Sequence, residues 1–105
     1  MIDLSVVLPV RNEQENLSLL LPKLHSLLAN MGLRYELIVV DGHSSDGSLE
    51  TAKQLGAVAF AQKESGYGPA LKEGFQAARG QYIVTLDADL SHEPDFIHKM
   101  WTTAK

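Results

Sequence analysis

Short apolar runs with no polar face alternate along the chain with longer stretches in which apolar residues recur every three or four positions. The first run, Leu4 to Val10, is rich in β-branched residues, as a strand covered on both faces of a parallel sheet would be. After "RNEQEN", Leu17, Leu20, Leu21, Leu24, Leu27, Leu28 and Met31 recur at helical spacing until Gly32 stops the pattern. Asn12 and Glu15 have the spacing of a capping box at the entrance to that helix. Pro22 predicts a kink or a late start, because it lacks a backbone donor and crowds the preceding turn.

"YELIVVD", residues 35 to 41, reads as a second buried strand. "GHSSDGS" is a turn leading into a short helix from about Ser48 to Leu55, with Asp46 as N-cap and Gly56 as stop. Residues 57 to 62 make a weaker third strand, and "KESGYG" a loop. Pro69 then suits the first position of a helix that runs to Arg79 and ends at Gly80. "YIVTLD", residues 82 to 87, is the fourth strand, and a last helix begins near Pro94 with Phe96, Ile97, Met100 and Trp101.

Strand followed by helix, four times over, predicts an α/β protein: a three-layer α/β/α arrangement, Rossmann-like, around a mostly parallel sheet with right-handed crossovers. No linker or repeat interrupts it, so residues 1–105 are read as a single domain. The fourth strand would stand at an apolar edge without a partner, which suggests the front portion of a larger domain.

Charge and composition narrow the chemistry. A formal net charge of -4 and the lack of a dense Lys/Arg stretch argue against nucleic acid as a partner. The absence of cysteine excludes disulfide scaffolds, zinc ribbons and thiol nucleophiles. The start, "MIDLSVVLPVRNE", carries Asp3 where an export signal would be basic, and Pro9 and Arg11 interrupt its apolar run. No stretch approaches the roughly 20 apolar residues of a membrane helix. The expected location is the cytoplasm or the cytoplasmic face of a membrane, with any membrane association peripheral or made through other segments.

In an open parallel sheet, ligands bind beyond the carboxyl ends of the strands, where the strand order reverses. The polar residues gather on that rim: Arg11, Asn12 and Glu13 after the first strand, Asp41 with Ser44, Ser45 and Asp46 after the second, Asp87 and Asp89 after the fourth. Gly66 and Gly68 precede the third helix, whose N-terminus favours an anion. Several of these have plainer readings. Asp46 is first a cap, Gly74 a site of close helix–sheet packing, Lys72 and Arg79 solvated helix residues, and His25 and His98 surface residues.

Asp87 and Asp89 resist the plainer reading. Two carboxylates one residue apart at the end of a buried strand repel each other unless a positive charge lies between them. Oxygen ligands, without cysteine or paired histidines, suit Mg²⁺ or Mn²⁺ better than Zn²⁺. Such an ion keeps waters and bridges to substrate phosphates, which makes a nucleoside diphosphate the natural ligand.

In these residues the chain resembles the inverting family 2 glycosyltransferases of GT-A fold, and among them the dolichyl-phosphate (polyprenyl-phosphate) mannosyltransferase group. "VVLPVRNEQENL" looks like that family's P-x-[YR]-N-E-x-E-N-L segment, and "VVDGHSSDGS" like its D-[DG]-x-S-x-D-G-[TS] turn. "GYGPALKEGFQAARGQYIVTLDADLSHEP" is similar to its glycine pair, helix and D-x-D stretch. Gly42 stands where the mannosyltransferases usually have a second Asp, and Arg11 where they have Tyr.

The resemblance implies that this chain is the nucleotide-binding half of a GT-A fold. Pro9, Arg11 and Glu13 would line the nucleotide pocket, with Asp41 beside base and ribose. Asp87 would face nucleotide or metal, Asp89 would ligate the metal, and Ser91 would join the metal site; Asp89 and Asp87 are the catalytic candidates. It further implies metal-dependent, inverting transfer of a sugar, mannose first, from GDP-mannose or a UDP-sugar to a polyprenyl or dolichyl phosphate. His92, beside the metal motif, is read as structural. Two other readings stand beside this one. One is a nucleotide-binding module without turnover, and the other a phosphatase of the haloacid-dehalogenase type, in which a D-x-D follows the first strand and not the fourth.

Overall fold

The computed structural model describes residues 1–88. In chain order these form β1 (Leu4–Val10), α1 (Gln14–Asn30), β2 (Tyr35–Asp41), α2 (Ser48–Gln54), β3 (Val58–Ala61), α3 (Tyr67–Ala77) and β4 (Tyr82–Thr85). The helix expected near Pro94, together with Asp89, Ser91, His92 and His98, lies outside the described residues.

The strands are all parallel and lie in the order β3-β2-β1-β4. β1 is central: Leu4 pairs with Tyr35 on one side and Tyr82 on the other. The apolar residues on both faces of β1 and β2 are used in full, since each face carries its own core. Val6, Leu8, Leu37 and Val39 pack with Leu17, Leu20, Leu21, Leu24 and Leu28 of α1 and Ala52 of α2. Val7, Ile38 and Val40 pack with Ala70 of α3. This is the expected α/β/α layering.

α3 lies so close to the sheet that a Cβ on Gly74 would come within 2.4 Å of Val7 Cγ1. The packing role read for Gly74 is what the fold requires of it.

Several local expectations are corrected. α1 starts at Gln14 and continues through Pro22, so the late start is not taken. Pro22 sits on the exposed side, where water can reach the carbonyl it leaves unpaired, while Leu20, Leu21 and Leu24 anchor the helix around it. The capping box does not form: Glu13 is the N-cap residue without a side-chain cap bond, and Asn12 is turned elsewhere. α3 begins at Tyr67, which makes Pro69 its third residue, still within the turn whose N–H groups need no helical partner. β4 ends at Thr85, before Leu86 and Asp87.

His25 is half-buried and ties three elements together. Its Nε2 lies 2.7 Å from the Leu55 carbonyl and its Nδ1 2.7 Å from the Tyr35 hydroxyl. It is a strut and not the surface residue expected.

At the amino ends of the strands, away from the rim, Glu36 is 8% exposed. It accepts hydrogen bonds from Ser5 Oγ at 2.6 Å and the Arg79 backbone N–H at 2.7 Å. Arg79 Nε lies 3.5 Å from its other oxygen, so Arg79 is not merely solvated. Gly80 donates its N–H to Ser5 Oγ at 2.8 Å, and a Cβ there would stand 2.6 Å from Ser5 N. This end of the sheet is closed by structure-holding polar contacts.

Candidate functional site

The strand order reverses between β1 and β4, because β2 and β3 extend the sheet on one side of β1 and β4 on the other. The crevice beyond the carboxyl ends at such a point is where α/β sheets bind ligands. Two adjoining hollows open there, and Pro9, Val10 and Arg11 line both. The larger, of about 420 Å³, is completed by Gly42, His43, Gln62, Ser65, Gly66, Tyr67 and Ala70. The smaller, of about 250 Å³, is completed by Glu13, Asp87 and Ala88.

The two hollows differ in chemistry. The larger holds no carboxylate and has two glycines and an exposed aromatic ring in its wall, whereas the smaller is acidic. Arg11 stands between them, exposed, and its guanidinium makes no ion pair or hydrogen bond among the described residues.

The rim is assembled by hydrogen bonds between the loop after β1 and the loop after β2. Asn12 takes a left-handed backbone conformation, with φ 53°, which directs its side chain across the gap. Its Oδ1 accepts the backbone N–H of Ser45 at 2.8 Å and that of Asp46 at 3.3 Å. In return the Asn12 N–H donates to Ser44 Oγ at 2.8 Å and the Glu13 N–H to Ser48 Oγ at 2.9 Å. Asp46 closes the zipper: its carboxylate accepts from the Gln14 N–H and from both the N–H and hydroxyl of Ser48. The Ser48 hydroxyl is the main cause that holds the Asp46 carboxyl below its ordinary pKa. Gly47, not Asp46, is the N-cap residue of α2, although Asp46 does satisfy a free N–H of its first turn.

The loop from β3 to α3 is fastened from both ends. Glu73 of α3 accepts the backbone N–H groups of Lys63 and Glu64 at 2.8 and 3.1 Å. The Lys63 N–H is the main cause that lowers the Glu73 pKa from its ordinary value. From the other end, Gln62 Nε2 donates to the carbonyls of Glu64 and Gly66. His43, at φ 61°, is a second non-glycine residue in the left-handed region, at the mouth of the larger hollow.

The residues singled out in the sequence are distributed as follows. Pro9 and Arg11 border both hollows, while Glu13 and Asp87 meet in the acidic one. Asp41 ends β2 at 3% exposure, its carboxylate accepting from the Ser44 hydroxyl at 2.6 Å and N–H at 3.0 Å, and its neighbour Gly42 lines the larger hollow. Asp89 and Ser91 lie outside the described residues. Sequence reasoning passed over Gln62, His43 and Tyr67. Only Tyr67 carried a signal, its place between two glycines at a helix start; Gln62 follows a weak strand with nothing to mark it.

Among the described residues no group of three or more Asp, Glu, His or Cys could by itself hold a metal ion. Two carboxylates, Glu13 and Asp87, bordering one open hollow fit part of a Mg²⁺ or Mn²⁺ site, because such an ion completes its shell with water and ligand oxygens. Among the described residues no helix is long and apolar enough to cross a membrane.

Known proteins share the sequence family and the fold. Residues 5–105 match the family model described as glycosyl transferase family 2. A dolichol-phosphate mannosyltransferase of Pyrococcus furiosus is 40% identical over 101 residues, covering 91% of this chain and 28% of its own length. An undecaprenyl-phosphate 4-deoxy-4-formamido-L-arabinose transferase of Edwardsiella ictaluri is 35% identical, covering 91% and 32%. Among solved structures, glucosyl-3-phosphoglycerate synthase of Mycobacterium tuberculosis, in complex with Mn²⁺, UDP and glucosyl-3-phosphoglycerate, superposes with a TM-score of 0.78. It is 27% identical, and the match covers 92% of this chain and 37% of that one. The chain thus spans about a third of the length of these relatives.

Proposed function

The chain belongs to glycosyl transferase family 2, and from that premise we propose that residues 1–105 form the donor-nucleotide portion of a polyprenyl-phosphate glycosyltransferase. The reaction is metal-dependent, inverting transfer of a sugar, mannose in the favoured reading, from a nucleotide sugar to a polyprenyl or dolichyl phosphate. The carrying observation is the pair of hollows at the β1/β4 reversal: one of about 420 Å³ without a carboxylate beside an acidic one, with Arg11 bordering both. The relatives at 40% and 35% identity are named for polyprenyl-phosphate acceptors and the solved structure at 27% for a phosphoglycerate product, which favours the lipid phosphate.

In this reading base and ribose occupy the larger hollow, between the Gly42–His43 turn and the loop that Glu73 and Gln62 hold in place. The diphosphate then crosses Arg11 toward Glu13 and Asp87. A guanidinium presents paired donors that match phosphate oxygens, so Arg11 binds and orients the diphosphate.

Asp87 and Asp89 are the residues that would hold Mg²⁺ or Mn²⁺, with Ser91 beside them. The ion, when bound, supplies electrostatic stabilisation of the charge that grows on the leaving diphosphate. An oxygen of the lipid phosphate attacks the anomeric carbon from the side opposite the diphosphate, whose bond to carbon breaks with the electron pair leaving on oxygen. Inversion follows from that geometry. A phosphate monoester, with a second pKa of about 6, is already largely ionised at neutral pH. The acceptor thus needs little help from a general base.

A thermal-shift panel of GDP, UDP and their sugar conjugates, with and without Mn²⁺, tests the donor assignment. Stabilisation by one base series, larger with Mn²⁺, is expected; no shift with any nucleotide would refute it.

A further inference from the structure

Gln62 follows β3 directly, and its side chain reaches the floor of the larger hollow at only 6% exposure. Its Nε2 donates to the carbonyl of Glu64 and, at 3.2 Å, to that of Gly66. These two acceptors decide which end of the amide is nitrogen, since the flipped side chain would set oxygen against both carbonyls. Oε1 is thereby turned toward Gly42: a Cβ built on Gly42 would lie 3.2 Å from it.

Among the described residues this oxygen accepts no hydrogen bond. Two of the rim carboxylates are occupied, Asp41 by Ser44 and Asp46 by Ser48. Since no buried side-chain polar atom among the described residues lacks a partner, this oxygen is open to the hollow, where a donor comes from water or a ligand. The glycine at position 42 leaves the approach to it uncovered.

We propose that Gln62 Oε1 accepts a hydrogen bond from a ring N–H of the donor nucleobase, which makes Gln62 a specificity-determining residue of this cleft. The inference rests on the nucleotide-sugar reading given above. Uracil offers N3–H and guanine N1–H, and either can meet a fixed acceptor. Adenine and cytosine carry a bare ring nitrogen at the matching position, which would set two acceptors against each other. A site built around one such hydrogen bond rejects the base that cannot make it, because its own polar atom is left unpaired.

The test pairs ligand and protein changes by calorimetric titration in Mn²⁺. UDP is compared with N3-methyl-UDP and GDP with N1-methyl-GDP, on the chain as it stands and on Gln62→Ala. The expected result is that the better-bound parent nucleotide exceeds its N-methyl analogue by about tenfold, and that this ratio falls to about one in Gln62→Ala. Loss of the Nε2 tether would weaken both members of a pair alike, so the ratio isolates the acceptor oxygen. On the unaltered chain CDP and ADP should also bind about tenfold more weakly, a measurement independent of the variant. A ratio that is unchanged in Gln62→Ala, or equal binding of all four nucleotides, overturns the role of Gln62 alone. Absence of any nucleotide binding overturns the donor site with it.

Discussion

Asn12 Oδ1 accepts the backbone N–H of Ser45 at 2.8 Å and so joins the loop that carries Arg11 and Glu13 to the loop that follows Asp41. Both loops belong to the same rim, and the bond holds their spacing before any ligand arrives. Preorganisation of this kind lowers the ordering cost of binding.

Asn12→Ala should therefore cost about 2 kcal/mol of stability, from the lost acceptor together with a left-handed backbone that alanine resists. Asn12→Gly relieves the backbone and removes only the acceptor. It should recover part of the stability by chemical denaturation while nucleotide binding stays weakened.

At the opposite end of the sheet, Glu36 is a structural residue. Glu36→Ala leaves the Ser5 hydroxyl and the Arg79 N–H without their acceptor, and should destabilise by roughly 2–4 kcal/mol in urea unfolding. Gly80→Ala should also destabilise, since its Cβ would press on Ser5 N at 2.6 Å.

Glu73 predicts an acid response. Its folded pKa is lowered, so its contribution is present above the unfolded carboxylate value of about 4.3 and is lost as pH falls through the lower folded value. Asp46 acts in the same direction. Melting temperature measured between pH 7 and pH 2.5 should fall through that window. Glu73→Gln should start lower at neutral pH and show a shallower fall.

Arg11→Met should weaken binding of a nucleoside diphosphate by about tenfold and leave the parent nucleoside unaffected, because the lost contact is a charge-assisted one to phosphate. Titration of UDP or GDP against uridine or guanosine reads this directly. Equal weakening of nucleotide and nucleoside would place Arg11 against the base instead.

The fold was largely legible because β1 and β2 are apolar on both faces and α1 repeats its leucines at helical spacing, patterns that only a covered parallel sheet satisfies. The rim was legible as a set of strand ends, and Pro9, Arg11, Glu13 and Asp87 do meet there. The partners within the rim were not. Asn12 has capping-box spacing with Glu15, yet it bonds across to residues 45 and 46, a tertiary contact that no local pattern encodes. Gln62 was passed over for the same reason, since its role depends on Gly42, which lies on the neighbouring strand's loop. At Pro22 the late start is not taken, because a helix packed by buried leucines on both sides of it outweighs one missing hydrogen bond at the surface.

In the proposed donor-nucleotide site, a divalent ion on Asp87 and Asp89 would complete the diphosphate end. Calorimetric titration of GDP and UDP, in Mn²⁺ and in chelator, on the unaltered chain and on Asp89→Ala, tests it most directly. One of the two nucleotides should bind more tightly in Mn²⁺, and Asp89→Ala should show no difference between Mn²⁺ and chelator. Equal affinity with and without chelator on the unaltered chain would contradict it.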